Sequence, residues 1–449
     1  MINRRRLHPL FAVTGLLLVI AALYLPYIDR TMYCDEANTL LQYADELPRA
    51  LFSYATPNNH ILHSVAVWLM TTLAGDALVV VRFATFAGAL LSVAMLYRIG
   101  SRLADQRVGI AAAVFMATTW GFAEFAVNAR GYTLTIFFTL LLTERVFLAQ
   151  ATRSRWQRYS LLLISLALML LLPSNLMIIG AAGLWIVWRA IWRRERRYAA
   201  LLPPLVVGTA IGLLFYLPSF LQGFLGSHFS AFGETTLTGL LSNSALLIFT
   251  TPGIGLVFAA AILTGIAVIL LENPHPPARV WIGVMFAAVI MIAAVQWIVL
   301  GRFFYARNYI FLVAPLALLA GVGASRVAGR WTLPLLATVL IASAIPLRAL
   351  NQPHDVDLLL ARIAAEVTPG DAVVVAPCFN APIQYHLFKM DQGNLLFVEP
   401  GTEQVMVFTR GQPLDEVLAL FGVRELVADC RRLEPVSEAV PDVYRCAGV

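Results

Sequence analysis

The chain has 449 residues, of which 59% are hydrophobic and only 13% are charged, and its mean hydropathy is +0.76. Soluble domains carry roughly a quarter charged residues, so this composition excludes an ordinary soluble protein and indicates a membrane protein. The net charge of +6 comes from basic residues in short loops between apolar runs, which indicates membrane topology and not a nucleic-acid partner.

Apolar runs of about 20 residues, long enough to cross a bilayer, recur from residue 9 to about residue 348. The first run lacks a small-x-small cleavage site and more runs follow, so it is predicted to be a retained helix rather than a signal peptide. Because Arg clusters mark the cytoplasmic face, the alternation predicts about eleven spans, with the N-terminus inside and the C-terminus outside. The predicted spans are 9–27, 78–98, 108–126, 133–149, 158–172, 175–192, 200–217, 253–271, 279–299, 309–326 and 331–348.

The stretch 59–75 does not fit this alternation easily. As a helix it would be about 25 Å long, which is marginal for a span. A crossing there would also place the Arg clusters between residues 98 and 197 on the outer face of the membrane. We expect it to lie in or dip into the outer leaflet, or to cross with a second unrecognised partner, which gives thirteen spans. The stretch 237–250 is treated in the same way. The first outer loop, residues 28–77, then contains in-plane helices.

After residue 349 the composition becomes that of a soluble domain. The sequence therefore predicts a polytopic α-helical membrane domain over 1–349 and a small periplasmic α/β domain over 350–449. Two of Cys378, Cys430 and Cys446 are expected to pair in an oxidising compartment, with Cys430 and Cys446 the favoured couple. The periodicity predicts helices over 356–367 and 414–422 and strands over 372–377, 394–400, 404–410, 424–430 and 442–446.

Two adjacent carboxylates, Asp35 and Glu36, follow the first span on the predicted outer face. They open a stretch whose apolar residues recur at helical spacing, so the helix start would orient the carboxylates and hold them ionised. An ordinary acidic helix N-terminus would have the same sequence pattern. Both interpretations stay open at this point.

A second polar group, Asn58, Asn59, His60 and His63, stands beside an apolar helix in the same loop. The two histidines are three residues apart and so would share one helical face. They would bind a metal ion, donate to a phosphate, or only lie at the membrane interface.

Two further clusters fall at the outer ends of later predicted spans. Polar side chains there are costly unless they are used or paired, and arginines are disfavoured in short outer loops. A guanidinium group suits phosphate because its donors form a rigid fork, so the arginines indicate an anionic partner, although either cluster alone would also fit an interfacial anchor. The clusters comprise Glu124, Asn128, Arg130 and Tyr132, and then Arg302, Tyr305, Arg307, Asn308 and Tyr309.

Carboxylates and phosphate-binding arginines at one lipid–water boundary together suit a lipid-phosphate substrate. A carboxylate can take the proton from an acceptor hydroxyl or amine as a sugar carbon is attacked. Arginines can stabilise the charge that develops on the departing lipid phosphate. An apolar slot between spans would hold the lipid tail.

In order and spacing, five stretches resemble the GT-C glycosyltransferase superfamily, in its protein mannosyltransferase-like and lipid A aminoarabinose transferase-like branch. The resemblance implies a polyprenyl-phosphate-linked sugar donor, inversion at the sugar carbon, and a periplasmic active site in a bacterial inner membrane. The acceptor is a lipid, glycan or protein that the sequence does not identify. The stretches are "CDEANTL", "PNNHILHSV", "VRFATFAGAL", "NARGYTL" and "ARNYIFLVAPLALLAG".

By this resemblance Asp35 is the catalytic base, and Glu36 is its partner or an acceptor or metal contact. The family's histidine falls on Asn59, so its role would pass to His60 or His63. Some relatives use a divalent metal, for which Asp35, Glu36 and His60 would be the ligands, and the sequence does not decide this. The donor phosphate would be bound by Arg130, Tyr132, Arg302, Arg307 and Tyr309, and the acceptor or the supporting residues would include Asn58, Asn59, His60, His63 and Glu124.

Three other functions compete with this interpretation. A transporter or flippase usually places charges in mid-membrane and repeats broken helices in two halves, whereas here no internal repeat is found and the polar groups gather at one face. A ligase of lipid-linked glycans would use much the same chemistry with an oligosaccharide donor, and it stays an alternative. A non-catalytic scaffold would leave the carboxylates and outer arginines without a role.

Overall fold

The computed structural model divides the chain into two units by its internal contacts. Met1–Ile28 and Glu46–Leu350 form the first, here called the membrane unit, and Asp29–Asp45 and Asn351–Val449 form the second, the C-terminal unit. The segment that carries Asp35 therefore belongs to the same unit as the C-terminal residues. The structure describes residues 9–54, 58–148, 154–221, 236–248, 252–272, 282–287, 290, 294, 296–298, 301, 305–351, 355–438 and 440–449.

The α-helices are numbered in chain order, and α2, α18, α19 and α20 belong to the C-terminal unit. Shorter helical turns link several of them, among them Leu25–Tyr27, Thr39–Tyr43 and Ala306–Leu312. The helices are α1 (Pro9–Tyr24), α2 (Cys34–Asn38), α3 (Leu47–Phe52), α4 (Ile61–Ala74), α5 (Leu78–Val81), α6 (Phe83–Leu103), α7 (Gln106–Ala117), α8 (Trp120–Ala126), α9 (Tyr132–Thr143), α10 (Arg155–Leu171), α11 (Leu176–Ile191), α12 (Leu202–Leu214), α13 (Leu217–Leu221), α14 (Leu237–Ile248), α15 (Pro252–Leu271), α16 (Val313–Ala328), α17 (Thr332–Leu347), α18 (Asp355–Glu366), α19 (Asn380–Lys389) and α20 (Leu414–Leu420).

The chain is a polytopic membrane protein. Within the described residues, 6 helical segments are long and apolar enough to cross a membrane, or 7 if the bent pair α7–α8 is one span. The two helices of this pair are inclined by 73°. Thr118 and Thr119 separate them, and their hydroxyl groups donate to backbone carbonyls of α7, which competes with continuation of the helix. The total of about eleven spans stays a prediction.

The stretches 59–75 and 237–250, which do not fit the predicted alternation of inner and outer loops, contain short apolar helices. Helix α4 has 14 residues and α14 has 12. Neither reaches the roughly 20 residues that a perpendicular crossing needs. Their position relative to the leaflets stays a prediction.

Close packing in the membrane unit depends on small residues. A Cβ atom on Gly265 of α15 would lie 1.9 Å from the Leu319 carbonyl oxygen of α16, and one on Gly323 would lie 2.0 Å from that of Ala261. The two backbones therefore touch directly at this crossing. Such contacts replace the hydrophobic driving force that lipid removes between membrane helices.

The C-terminal unit is built around a sheet of four strands in the order β1-β2-β4-β3. The strands are β1 (Ala372–Val375), β2 (Gln404–Phe408), β3 (Val427–Leu433) and β4 (Val443–Gly448). Strands β1 and β2 are parallel and the other pairs are antiparallel. The two faces of the sheet are covered by separate apolar clusters, one around Val373 and Phe408 and one around Val374 and Val407.

Most predicted elements of this unit are present, with two differences. The stretch 394–400, predicted as a strand, contributes instead to the 3-10 helix Gly393–Leu396. Its backbone groups form local turn hydrogen bonds, such as the one from the Leu395 N–H to the Gln392 carbonyl, instead of hydrogen bonds to a neighbouring strand. Helix α19 was not predicted, because its apolar residues follow no strong helical period.

Candidate active site

The carboxylates Asp35 and Glu36 lie in the first turn of α2. Tyr33 precedes the helix in extended conformation, and its backbone N–H donates to Glu36 Oε2 at 3.0 Å. Glu36 is fully buried, whereas Asp35 is half-buried. The side chain of Glu36 therefore caps its own helix, which leaves Asp35 as the more accessible carboxylate of the two.

Both disulfides of the protein lie in the C-terminal unit, and together they use all four cysteines. The favoured pair, Cys430–Cys446, is confirmed. The second disulfide joins Cys34, the first residue of α2, to Cys378, at a separation of 344 residues. The sequence predicts pairing only among the three cysteines of the C-terminal residues, because no local pattern links Cys34 to a partner 344 residues away.

In the membrane unit, Arg130 lies in the turn before α9 and is 2% exposed. Its Nη1 donates to the Asn58 backbone carbonyl at 3.1 Å and also to the Asn58 side-chain oxygen. The guanidinium carbon lies 5.7 Å from the centre of the Tyr132 ring. The predicted residues Asn58, Arg130 and Tyr132 are thus brought together, although they come from two distant stretches.

His60 joins the same cluster through the turn that follows Arg130. Its Nδ1 accepts a hydrogen bond from the Gly131 N–H at 3.1 Å, and its ring meets Tyr132 edge-on with centroids 5.0 Å apart. A Cβ atom on residue 131 would lie only 2.7 Å from Nδ1, so this close approach requires glycine. His60 is 1% exposed, and no side chain or backbone group of the described chain bonds its Nε2.

The electrostatics of His60 favour its neutral form. Burial, and then the charge of Arg130, lowers the pKa of His60 well below its ordinary value, and His63 and Arg307 act in the same direction. Since Nδ1 is an acceptor, the neutral ring carries its proton on Nε2. A buried N–H donor is therefore available for a ligand, and both guanidinium groups act on the same imidazole.

His63 and Asn59 have structural bonding patterns. The Thr85 hydroxyl donates to the Arg130 carbonyl at 3.0 Å, so His63 Nε2 must donate to that hydroxyl at 2.9 Å. Asn59 donates to the carbonyls of Ala50 and Ser53 and accepts from Ser64. His60 and His63 therefore bond to different partners and do not act as a pair on one face.

The second arginine cluster is built on the 3-10 helix Ala306–Leu312. The Arg307 guanidinium carbon lies 4.8 Å from the centre of the Tyr305 ring. Tyr309 is buried and its hydroxyl donates to Gln296 Oε1 at 2.8 Å. Arg302 lies outside the described residues. Glu124 is half-buried in α8, and Asn128 is buried with no described donor on its Oδ1.

The sequence predicts no role for two residues of the site region, Thr85 and Arg82. Thr85 links His63 to the backbone of Arg130. Arg82 is completely buried, and its Nη1 donates to the Ile28 carbonyl at 2.6 Å. A charge inside the apolar stretch "VRFATFAGAL" was the available signal for Arg82, because a buried charge needs a defined partner.

A metal site receives no support from the geometry. Within the parts of the chain that the structure describes, no three His, Cys, Asp or Glu side chains are grouped so as to hold a metal ion. Asp35 and Glu36 belong to the C-terminal unit and His60 to the membrane unit. A metal bound by these three residues stays a prediction from the sequence.

Comparison with known proteins relates this arrangement to a family. The model of the dolichyl-phosphate-mannose-protein mannosyltransferase family matches residues 58–221, which include Asn58, His60, Thr85 and Arg130. No curated protein sequence matches the chain.

Solved structures match over nearly the whole chain. ArnT from Cupriavidus metallidurans bound to undecaprenyl phosphate is 13% identical with a TM-score of 0.63, covering 97% of this chain and 98% of that one. The apo state of the same protein is also 13% identical, with a TM-score of 0.60, and the match covers 98% of each chain. The Archaeoglobus fulgidus oligosaccharyltransferase in its apo form is 12% identical with a TM-score of 0.50, and the match covers 90% of this chain and 70% of that one. The predicted resemblance to the GT-C superfamily, in its ArnT-like branch, is confirmed at the level of the fold.

Substitution of Gly131 tests the contact with His60. In Gly131→Ala the new methyl group would collide with Nδ1 and with the Leu171 side chain, so we expect a lower thermal midpoint in detergent. The matched control is Gly180→Ala, because a Cβ atom there meets nothing within 4 Å. Equal midpoints for the two variants would contradict the packing described for His60.

The depressed pKa of His60 predicts a pH dependence of stability. Folding disfavours the protonated ring, so the stabilisation is complete above the ordinary pKa of 6.5 and is lost as the pH falls towards the folded-state pKa. From about pH 7.5 to about pH 5.5 the unfolding free energy should fall by at most about 1.4 kcal/mol per pH unit for this proton. Thermal unfolding should show a shallower dependence for His60→Gln, and equal slopes would argue against a buried neutral His60.

Proposed function

The chain has the fold of the GT-C glycosyltransferases, and from this premise we propose that the protein is an integral-membrane glycosyltransferase. It moves a sugar from a polyprenyl-phosphate donor to a periplasmic acceptor with inversion. The observation that carries the proposal is the buried cluster in which Asn58 and Tyr132 hold the Arg130 guanidinium and His60 Nε2 has no partner in the described chain. The match to ArnT bound to undecaprenyl phosphate supports a lipid phosphate as the anionic ligand.

In this proposal the arginines bind the donor phosphate. Arg130 is held by Asn58 and Tyr132, so its guanidinium is oriented before the ligand arrives. The Nε2–H of His60 adds a neutral donor beside the two charges. Fixed donors of this kind stabilise charge on a leaving group without reorganisation, which is the main requirement for releasing a lipid phosphate.

The acceptor is activated by Asp35. Its carboxylate takes the proton from the acceptor hydroxyl or amine as that atom attacks the anomeric carbon of the sugar. The bond from this carbon to the phosphate oxygen breaks, and the electron pair leaves with the lipid phosphate. Because attack and departure occur on opposite sides of one carbon, the configuration inverts. Glu36 supports Asp35 by capping α2.

The two disulfides support the periplasmic assignment. Disulfides persist in oxidising compartments and are rare in the cytoplasm. All four cysteines, including the neighbour of Asp35, are cross-linked in the C-terminal unit. We therefore assign this unit to the periplasmic side of a bacterial inner membrane, in agreement with the topology expected from the arginines.

Asp35→Asn should abolish sugar transfer, because the amide cannot accept a proton, while binding of undecaprenyl phosphate is retained. Transfer is measured with purified protein and a radiolabelled polyprenyl-phosphate sugar. Asp45→Asn is the matched control, since Asp45 is an exposed carboxylate of the same segment and should retain transfer. Near-normal turnover of Asp35→Asn would refute the base assignment.

Arg307→Ala should raise the donor KM at least tenfold, the scale of a lost charge-assisted hydrogen bond of roughly 1.5–3 kcal/mol. Arg330→Ala is the matched control, because Arg330 also lies over an aromatic ring, that of Trp331 at 5.5 Å. Arg130→Ala should behave as Arg307→Ala does. Unchanged donor kinetics in both test variants would assign these arginines an anchoring role.

The same assay distinguishes the ligase alternative, which the weaker match to the oligosaccharyltransferase keeps in view. A donor that carries one sugar should be used in preference to one that carries an oligosaccharide. Exclusive use of the oligosaccharide donor would favour the ligase.

A further inference from the structure

We propose that the Cys34–Cys378 disulfide positions Asp35 for sugar transfer. The disulfide fastens the carboxylate helix α2 to the sheet of the C-terminal unit, next to the end of β1. The inference rests on the proposed function, because Asp35 is its catalytic base. It gives the C-terminal unit a role in the proposed sugar transfer.

The need for such a device follows from the length of α2. The helix has 5 residues, and the chain continues only as a further 5-residue helical turn, Thr39–Tyr43. Isolated helices shorter than about 12 residues are marginal in water, so α2 cannot hold its own orientation. The direction in which Asp35 points must therefore be set by contacts from outside the helix.

The disulfide supplies the strongest of these contacts. Cys34 is the residue directly before Asp35, and it is buried in the same apolar cluster as Val375 and Phe379. Its partner Cys378 lies in the turn between β1 and α19, next to Phe379. One covalent bond thus fixes the start of α2 against the end of a buried strand.

Two hydrogen bonds hold the chain just before Cys34. The Met32 N–H donates to His386 Nε2 of α19 at 3.3 Å. The Thr31 hydroxyl donates to an oxygen of Asp357 in α18. Three separate elements of the C-terminal unit therefore hold the approach to Asp35. A displacement of about 1 Å can cost on the order of a hundredfold in rate, so loosening this attachment should affect turnover.

The other disulfide provides a natural comparison. Cys430 and Cys446 are only 16 residues apart and lie on β3 and β4, which are already paired as antiparallel neighbours. They pack in the apolar cluster on the opposite side of the sheet from that of Cys34. Opening this disulfide should leave α2 undisturbed, so it is the matched control.

The test compares Cys34→Ser/Cys378→Ser with Cys430→Ser/Cys446→Ser. For the first variant we expect kcat to fall at least tenfold with the donor KM within about twofold of the original, because the donor-binding arginines belong to the membrane unit. The control should change neither constant by more than about twofold. Retained kcat, an equal fall in the control, or a change in KM alone would overturn the proposal.

A second measurement does not need catalysis. Hydrogen–deuterium exchange of residues 33–39 should be faster in Cys34→Ser/Cys378→Ser and unchanged in the control, and equal protection in both would overturn the proposal. If the unaltered protein transferred no sugar, the proposed function would fail, and the exchange measurement would still decide whether the disulfide orders α2.

If Cys34→Ser/Cys378→Ser did not fold, the folded control variant would replace it. Dithiothreitol then opens only the remaining disulfide: the reagent loses two electrons and two protons and becomes a cyclic disulfide, and Cys34 and Cys378 become thiols. The same loss of kcat is expected after reduction, with binding of undecaprenyl phosphate retained. Full turnover of the reduced protein would contradict the positioning role.

Discussion

A charged side chain that is buried in an apolar helical protein needs polar partners arranged around it, because no water is present to solvate it. Arg130 meets this requirement through Asn58 and the face of Tyr132. Its backbone carbonyl is bound by Thr85, which is held in turn by His63. The cluster therefore joins the segment before α4 to α6 and to the turn before α9, without any ligand.

The same constraint explains why His60 is neutral. Burial, and then the charge of Arg130, lowers the pKa of His60, and the Gly131 N–H selects which nitrogen remains free to donate. The arrangement leaves one donor without a protein partner in the described chain. Buried polar atoms without partners are rare in folded proteins, so this donor supports a polar ligand at the site.

The proposed acid–base chemistry depends on a different kind of support. Asp35 stands on a helix too short to be stable alone, and it belongs to the unit formed by the C-terminal residues. A small α/β fold with its own apolar clusters is a more rigid base for a catalytic group than a loop. Residues 29–45 belong to that fold, so the C-terminal unit supplies the support that α2 lacks by itself.

The sequence by itself determined the properties that depend on composition and local pattern. Low charge and long apolar runs identify a membrane protein, and short periodic runs predict β1, β2, β3 and β4, although 394–400 forms local turns instead of a strand. Residue types at the predicted outer ends of spans indicated Asp35, Arg130 and Arg307 as candidates. Only the tertiary structure decided which of these groups share a unit and which neighbours hold them. The pairing of Cys34 with Cys378 across 344 residues, the link from His63 through Thr85 to Arg130, and the capping by Glu36 are contacts of specific atoms. They depend on packing between distant segments, which leaves no period or motif in the chain.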